Sequence, residues 1–132
     1  MKRIQTANAP TPAGHYSQAI VHGGIIYIAG QLPIDPARSG EAAGTIEQQT
    51  ERALRNVEAI LRAAGSGLHR VLQMTIYIPD MSLWARVNSA YAAVMGEHRP
   101  ARAVVPTRAL HHDYQIEIQA IAAVCISEDS QA

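Results

Sequence analysis

Lysine is almost absent from this chain: Lys2 is the only one, against ten arginines. With no interior lysine, Schiff-base chemistry on a lysine side chain, PLP attachment included, is close to excluded. Cysteine is equally scarce, and the single Cys125 permits neither an internal disulfide nor a multi-cysteine zinc site. There is no surplus of one charge, because 11 basic side chains face 11 acidic ones. A protein that grips polyanions usually carries a basic excess, so nucleic acid is not the expected partner. No apolar run approaches the ~20 residues that span a bilayer. Lys2 and Arg3 are followed by Gln5, Thr6 and Asn8 rather than an apolar segment, so no secretory signal is expected either. The G-x-S-x-G and P-loop patterns are missing as well. The expectation is a soluble, cytoplasmic protein with no membrane partner.

What is present suits one globular unit. The 132 residues are 48% hydrophobic and 17% charged, which predicts a single domain over 1–132 with a real core. Its first fifteen residues, proline-rich and aperiodic, read as an extended arm, and 127–132 as a flexible tail. Gln18 to Gly30 is β-branched and aliphatic around Gly23-Gly24, the pattern of a hairpin. A Pro- and Gly-rich loop follows from Pro33 to Gly44. Thr45 and Gln48 form a capping-box pair opening a helix, and Ile46, Ala53, Leu54, Val57, Ile60, Leu61 and Ala64 recur along one stripe. Gly65 supplies its left-handed stop.

Arg70 to Ile78 alternates, with Leu72, Met74, Ile76 and Ile78 on one side, and reads as a strand ended by Pro79. Asp80 or Ser82 caps a second helix, whose predicted buried stripe is Trp84, Val87, Tyr91, Val94 and Met95. Ala101 to Val105 is a short strand, and Gln115 to Ile126 a long one with every even position apolar. The order ββαβαββ predicts an α+β sheet with two helices on one face. The last strand's other face mixes Glu117 and Gln119 with Ile121, Ala123 and Cys125. Such a half-apolar face is expected to be covered by another copy of the chain.

Two charges interrupt apolar strands, Arg102 and Glu117. A strand-held guanidinium is a rigid fork suited to a carboxylate, and a neighbouring carboxylate can pair with it or serve as a general base. An ordinary ion pair at a sheet edge or interface accounts for the same two residues, and periodicity does not choose. Tyr16, just before the first strand, reads either as a surface anchor or as a lid. His15, His22, His69 and His98 are scattered, and adjacent His111 and His112 would point apart in an extended chain. No metal-ligand spacing appears, so no metal is expected. Cys125 and Trp84 read as core residues.

Taken in order, the segments resemble the RidA (YjgF/YER057c/UK114) family. Gly14-His15-Tyr16-Ser17-Gln18-Ala19 is similar to its G-P-Y-S-Q-A motif, and Gly30-Gln31-Leu32-Pro33-Ile34-Asp35-Pro36 to its G-Q-[IL]-P-x-D-P. Pro100-Ala101-Arg102 and Ile116-Glu117-Ile118-Gln119-Ala120-Ile121-Ala122 complete a likeness running from about Ala9 to Val124. The resemblance implies a chorismate-mutase-like α+β fold, a homotrimer with sites in the clefts between subunits, and cofactor-free hydrolysis of 2-imino and enamino acids to 2-oxo acids and ammonia. It also implies roles. Arg102 would clamp the substrate carboxylate, Glu117 would activate water, and Tyr16 would close the pocket. Ala29, Gly30 and Val104 would line the site, with Asn88 in support. Ala29 stands where the family has serine before the glycine, and Val104 where its best-known branch has cysteine, which alters the polarity of the pocket. Two other functions fit the same residues: a non-catalytic binder of small carboxylates, and an endoribonuclease, which the neutral charge disfavours.

Overall fold

The computed structural model describes residues 1–125; the expected tail at 127–132, and Ile126 of the expected last strand, lie outside the described residues. Strands run over Lys2–Ile4 (β1), Ala19–His22 (β2), Ile25–Gln31 (β3), Val71–Ile78 (β4), Ala101–Pro106 (β5) and Glu117–Ala123 (β6), with helices at Ile46–Ala63 (α1) and Trp84–Met95 (α2). They form one mixed sheet in the order β1-β2-β3-β6-β4-β5. This is the α+β architecture expected, with one addition. The arm is partly recruited as an edge strand, since Lys2 to Ile4 pair antiparallel with Val21 to Ala19.

What pins the arm is a single buried amide. Gln18 receives the Thr6 N–H at Oε1 (2.7 Å) and donates from Nε2 to the carbonyls of Thr6 (3.0 Å) and Pro10 (2.9 Å). The β2–β3 turn closes on two residues, Gly23 (φ +59°) and Gly24 (φ +79°), a left-handed pair that a side chain would strain. Thr45 caps α1 as expected, its hydroxyl accepting from the Gln48 N–H while Gln48 reaches back to the Thr45 N–H. Gly65 terminates it at φ +74°. Asn56, fully buried on α1, donates to the carbonyls of Leu32 and Ile34 and so ties the long loop to the helix.

Both helices cover one face of the sheet. The core between them holds Ile26 and Ile28 of β3, Met74, Ile76 and Ile78 of β4, Ile118, Ala120 and Ala122 of β6, and the stripes of α1 and α2. Leu72 and Trp84, both expected among the inward-facing residues, stand outside the core. Leu72 does not join Met74 and Ile76, because a bulge between Val71 and Gln73 shifts the register, buries Val71 instead and leaves Leu72 47% exposed. Trp84 lies outside the α2 stripe of Val87, Tyr91 and Met95, being the helix's first residue and 40% exposed. Among the described residues the opposite face of the sheet carries no helix. There Tyr27, Ile121 and Ala123 lie beside Tyr77, Glu117 and Gln119, the mixed surface the sequence predicted.

Candidate functional site

The register of the central strands decides where the two strand charges point. Arg102 pairs with Met74, and Val104 with Ile76, both of which face the helices. Glu117 pairs with Tyr77, whose neighbours Ile76 and Ile118 face the core, so Glu117 belongs to the open face. The two residues therefore sit on opposite sides of the sheet. An ion pair between them within one protomer is ruled out, and so is a single pocket.

Arg102 sits under α2. Its Nη1 donates to Asn88 Oδ1 at 2.9 Å, and its guanidinium lies 4.9 Å from the centre of the Tyr91 ring and 5.7 Å from that of Trp84. Two aromatic faces and one amide fix the plane of the fork while leaving most of its N–H groups free. Among the described residues no carboxylate forms an ion pair with it. It opens into a cavity of about 490 Å³ shared with Asn88, Tyr91, His98 and Arg99. Burial raises the Tyr91 hydroxyl above its ordinary value, partly opposed by Arg102, and among the described residues that hydroxyl has no hydrogen-bond partner. Val104, on the same face, is half-buried against the core.

Glu117 occupies a smaller recess of about 100 Å³ whose walls include Tyr16, Gln18, Gly30, His111 and His112. A bulge in β3 between Ile28 and Gln31 makes room for it. Ala29, inside the bulge, donates its N–H to the Gln18 carbonyl, and its own carbonyl accepts from Gln31 Nε2. Gly30 leaves the space that the Glu117 carboxylate occupies. A Cβ on it would lie 2.8 Å from Glu117 Oε2 and 3.0 Å from Cδ. Tyr16 is half-exposed at the rim, its hydroxyl accepting from the Ala13 N–H. Burial raises the Glu117 carboxyl above its ordinary value, with His111 pulling it back. The structure thus gathers Tyr16, Ala29, Gly30 and Glu117 at one place, and Asn88, Arg102 and Val104 at another.

Sequence reading missed four contributors. Trp84 and Tyr91 flank Arg102, and their i,i+7 spacing on α2 with Asn88 between them was the available signal. His111 and His112 do not point apart along an extended chain. They occupy a tight turn over His111–Asp113 in which His112 (φ +58°) and Asp113 (φ +57°) are left-handed, and their rings lie 4.0 Å apart. Cys125 is not in the core. β6 ends at Ala123, and the exposed thiol sits 3.8 Å from His69 Nε2. Among the described residues no three His, Cys, Asp or Glu side chains could hold a metal ion, and no helix is long and apolar enough to cross a membrane.

Known proteins are similar to this chain over nearly its whole length. Residues 6–124 match the family described as Endoribonuclease L-PSP. A RutC family protein of Pyrococcus horikoshii is 48% identical over 119 residues, covering 90% of this chain and 94% of that protein. A 2-iminobutanoate/2-iminopropanoate deaminase of Salmonella typhimurium is 38% identical over 124 residues, 92% of this chain and 96% of its own. The crystal structure of RidA from an Antarctic Psychrobacter superposes with a TM-score of 0.89 at 36% identity, covering 94% of this chain and all of that one. With both motif-bearing strands, both helices and the bulge at Gly30 inside the matched span, the chain belongs to the RidA (endoribonuclease L-PSP) family.

Proposed function

We propose that this protein hydrolyses reactive 2-imino acids, and their enamine tautomers, to 2-oxo acids and ammonia, at sites built from two copies of the chain. The observation that carries the reading is the division of the two charges. Among the described residues Arg102 is a positioned guanidinium without an ion-pair partner, and Glu117 is a carboxyl beside a recess that contains no arginine or lysine, on opposite faces of one sheet. Each is half of a site for a molecule that has a carboxylate at one end and an electrophilic C=N carbon next to it. The open sheet face, with Tyr27 and Leu72 about half exposed, is the surface by which copies would meet, and a homotrimer would close each half on its complement. The name carried by the Salmonella relative supports the activity.

In such a cleft Arg102 holds the substrate carboxylate through charge-assisted bonds, its plane set by Asn88, Tyr91 and Trp84. Glu117, from the neighbouring copy, takes a proton from water as the oxygen attacks the imine carbon. Tyr16 closes the recess, the Ala29–Gly30 bulge forms its floor beside the carboxylate, and Val104 lines the Arg102 side. An iminium carbon is already electrophilic, so positioning and one base suffice, and the reaction as written needs no cofactor. The cytoplasm, where PLP-dependent dehydratases release such imines, is the compartment that fits.

The experiment is to generate a 2-imino acid with a serine or threonine dehydratase and follow 2-oxo acid release with and without the protein. Acceleration over buffer is expected. No acceleration together with retained binding of a 2-oxo acid would replace this reading with that of a carboxylate-binding protein, which uses Arg102 and leaves Glu117 without a task.

A further inference from the structure

Hydrolysis of an imine moves more than one proton, and one carboxylate cannot move them all at once. Water addition forms the C–O bond, sends the C=N π pair onto nitrogen and leaves a proton on Glu117. The carbinolamine then has a neutral amine, a poor leaving group until it is protonated. Protonated Glu117 is one donor for it, and a second donor beside the nitrogen would leave Glu117 assigned to the water oxygen.

The Glu117 recess contains a second titratable group that the reading above does not employ. His111 stands on the turn leading into β6, lines the same recess as Glu117 and Tyr16, and is exposed. The turn that presents it has two consecutive non-glycine residues in left-handed backbone, His112 and Asp113, which directs the His111 and His112 rings to the same place. The groups around His111 are few. Tyr16 faces it from the arm, Glu117 from β6, and His112 and Asp113 accompany it on its own turn, while the β3 bulge contributes Gly30 and Gln31 and nothing titratable. Its charge is felt at Glu117, whose carboxyl it draws back toward the ionised form.

We infer that His111 is a second catalytic residue, the acid that delivers a proton to the departing nitrogen while Glu117 serves as the base toward water. This rests on the imine-hydrolase reading and extends it. The imidazolium gives its proton to the carbinolamine nitrogen, converting it to an ammonium. The hydroxyl oxygen then forms the C=O bond as the C–N bond breaks, ammonia leaves, and the hydroxyl proton returns to the imidazole. Glu117 passes its own proton to the released ammonia or to solvent. Atoms and charge balance as an iminium plus water giving a 2-oxo acid plus ammonium, with both side chains restored.

The test uses the full chain, with the 2-imino acid generated in situ, buffer rates subtracted at each pH, and both 2-oxo acid and ammonia measured. His111→Gln is expected to lower kcat about 100-fold, the ordinary range for one acid–base group. KM should change little, and the pH profile should lose the limb that belongs to the acid. In His111→Ala, added imidazole should restore part of the turnover, which it should not do in Glu117→Gln; a merely structural role for His111 would lower thermal stability and give no rescue. A His111→Gln enzyme with wild-type kcat and an unchanged pH profile overturns the assignment while leaving the hydrolase reading intact. A wild-type protein that fails to accelerate hydrolysis at all overturns both, and does so before any variant is made.

Discussion

Replacing Gly30 with alanine isolates the placement of Glu117 from everything else the bulge does. Gly30 is not among the left-handed glycines of the chain, so its backbone accepts an alanine without strain. The conflict lies entirely with one neighbour. The new methyl would sit 2.8 Å from Glu117 Oε2, 3.0 Å from Cδ and 3.2 Å from Cγ, where ordinary contact begins at 3.4 Å. The carboxylate must therefore retreat by about 0.6 Å, and it has somewhere to go, since it is the far end of a flexible side chain beside an open recess. Overpacking a tight core costs about 1–3 kcal/mol, and relief by such a side chain puts this case at or below the lower end. Chemistry is less forgiving: a displacement of ~1 Å in a reacting geometry can cost about 100-fold. Gly30→Ala is expected to fold with nearly wild-type thermal stability and to lose about 10–100-fold in kcat for imine hydrolysis. Thermal denaturation and steady-state assay on one preparation check the two halves. A well-folded variant with undiminished kcat would show that the contact between the bulge and Glu117 has no part in the reaction.

Two further outcomes concern pH. Because burial raises the Glu117 carboxyl above 4.5, its protonated form suits the folded state. Its contribution to stability is full below the unfolded value and lost as pH rises through the folded one. Glu117→Gln should therefore raise the melting temperature at pH 7 but not at pH 4, while abolishing turnover; an equal effect at both pH values would contradict the burial argument. Glu47 has the opposite sign. The Arg86 guanidinium, held at 2.8 and 2.7 Å, keeps its carboxyl at about 2, so the clamp between α1 and α2 contributes above 4.5 and is lost as pH falls through about 2. Both side chains are half-exposed, so the gap in melting temperature between wild type and Glu47→Gln should be small at pH 6, close toward pH 2 and shrink in 1 M salt.

Most of the fold could be read from local chemistry. The two-glycine turn, the Thr45–Gln48 box, the Gly65 stop and the alternation of β6 each depend on residues within a few positions of one another, and each is found, β6 over Glu117–Ala123 rather than from Gln115 onward. Bulges are different. Nothing in Leu72 marks it as the residue that leaves the core, because the register slip that ejects it is set by β6, some fifty positions away in sequence. The site was legible as a set of residues and illegible as a geometry. Arg102 and Glu117 stand out as charges in apolar strands, but which face each takes depends on the pairing of β4 with two different strands, parallel on one side and antiparallel on the other. The two histidines were hidden by the assumption of extended chain, which a left-handed turn violates.

The opposite-face geometry makes a prediction that no single-protomer site could satisfy. Arg102→Ala leaves a chain with a sound Glu117 half and a defective Arg102 half, and Glu117→Gln leaves the reverse. If each site takes Arg102 from one copy and Glu117 from the next, either variant alone has every site broken. In a mixture refolded together at equal amounts, a given site is intact only when its first copy is the Glu117→Gln chain and its second the Arg102→Ala chain. With random assembly into a closed ring that happens with a probability of about one quarter, whatever the number of copies. Two inactive proteins should therefore recover about 25% of wild-type turnover on co-refolding, and close to none when merely mixed under conditions where subunits do not exchange. The recovered sites contain only unaltered catalytic groups, so their KM should equal that of the wild type. Were both residues to act within one protomer, or Arg102 to serve only as packing for Tyr91 and Trp84, co-refolding would restore nothing.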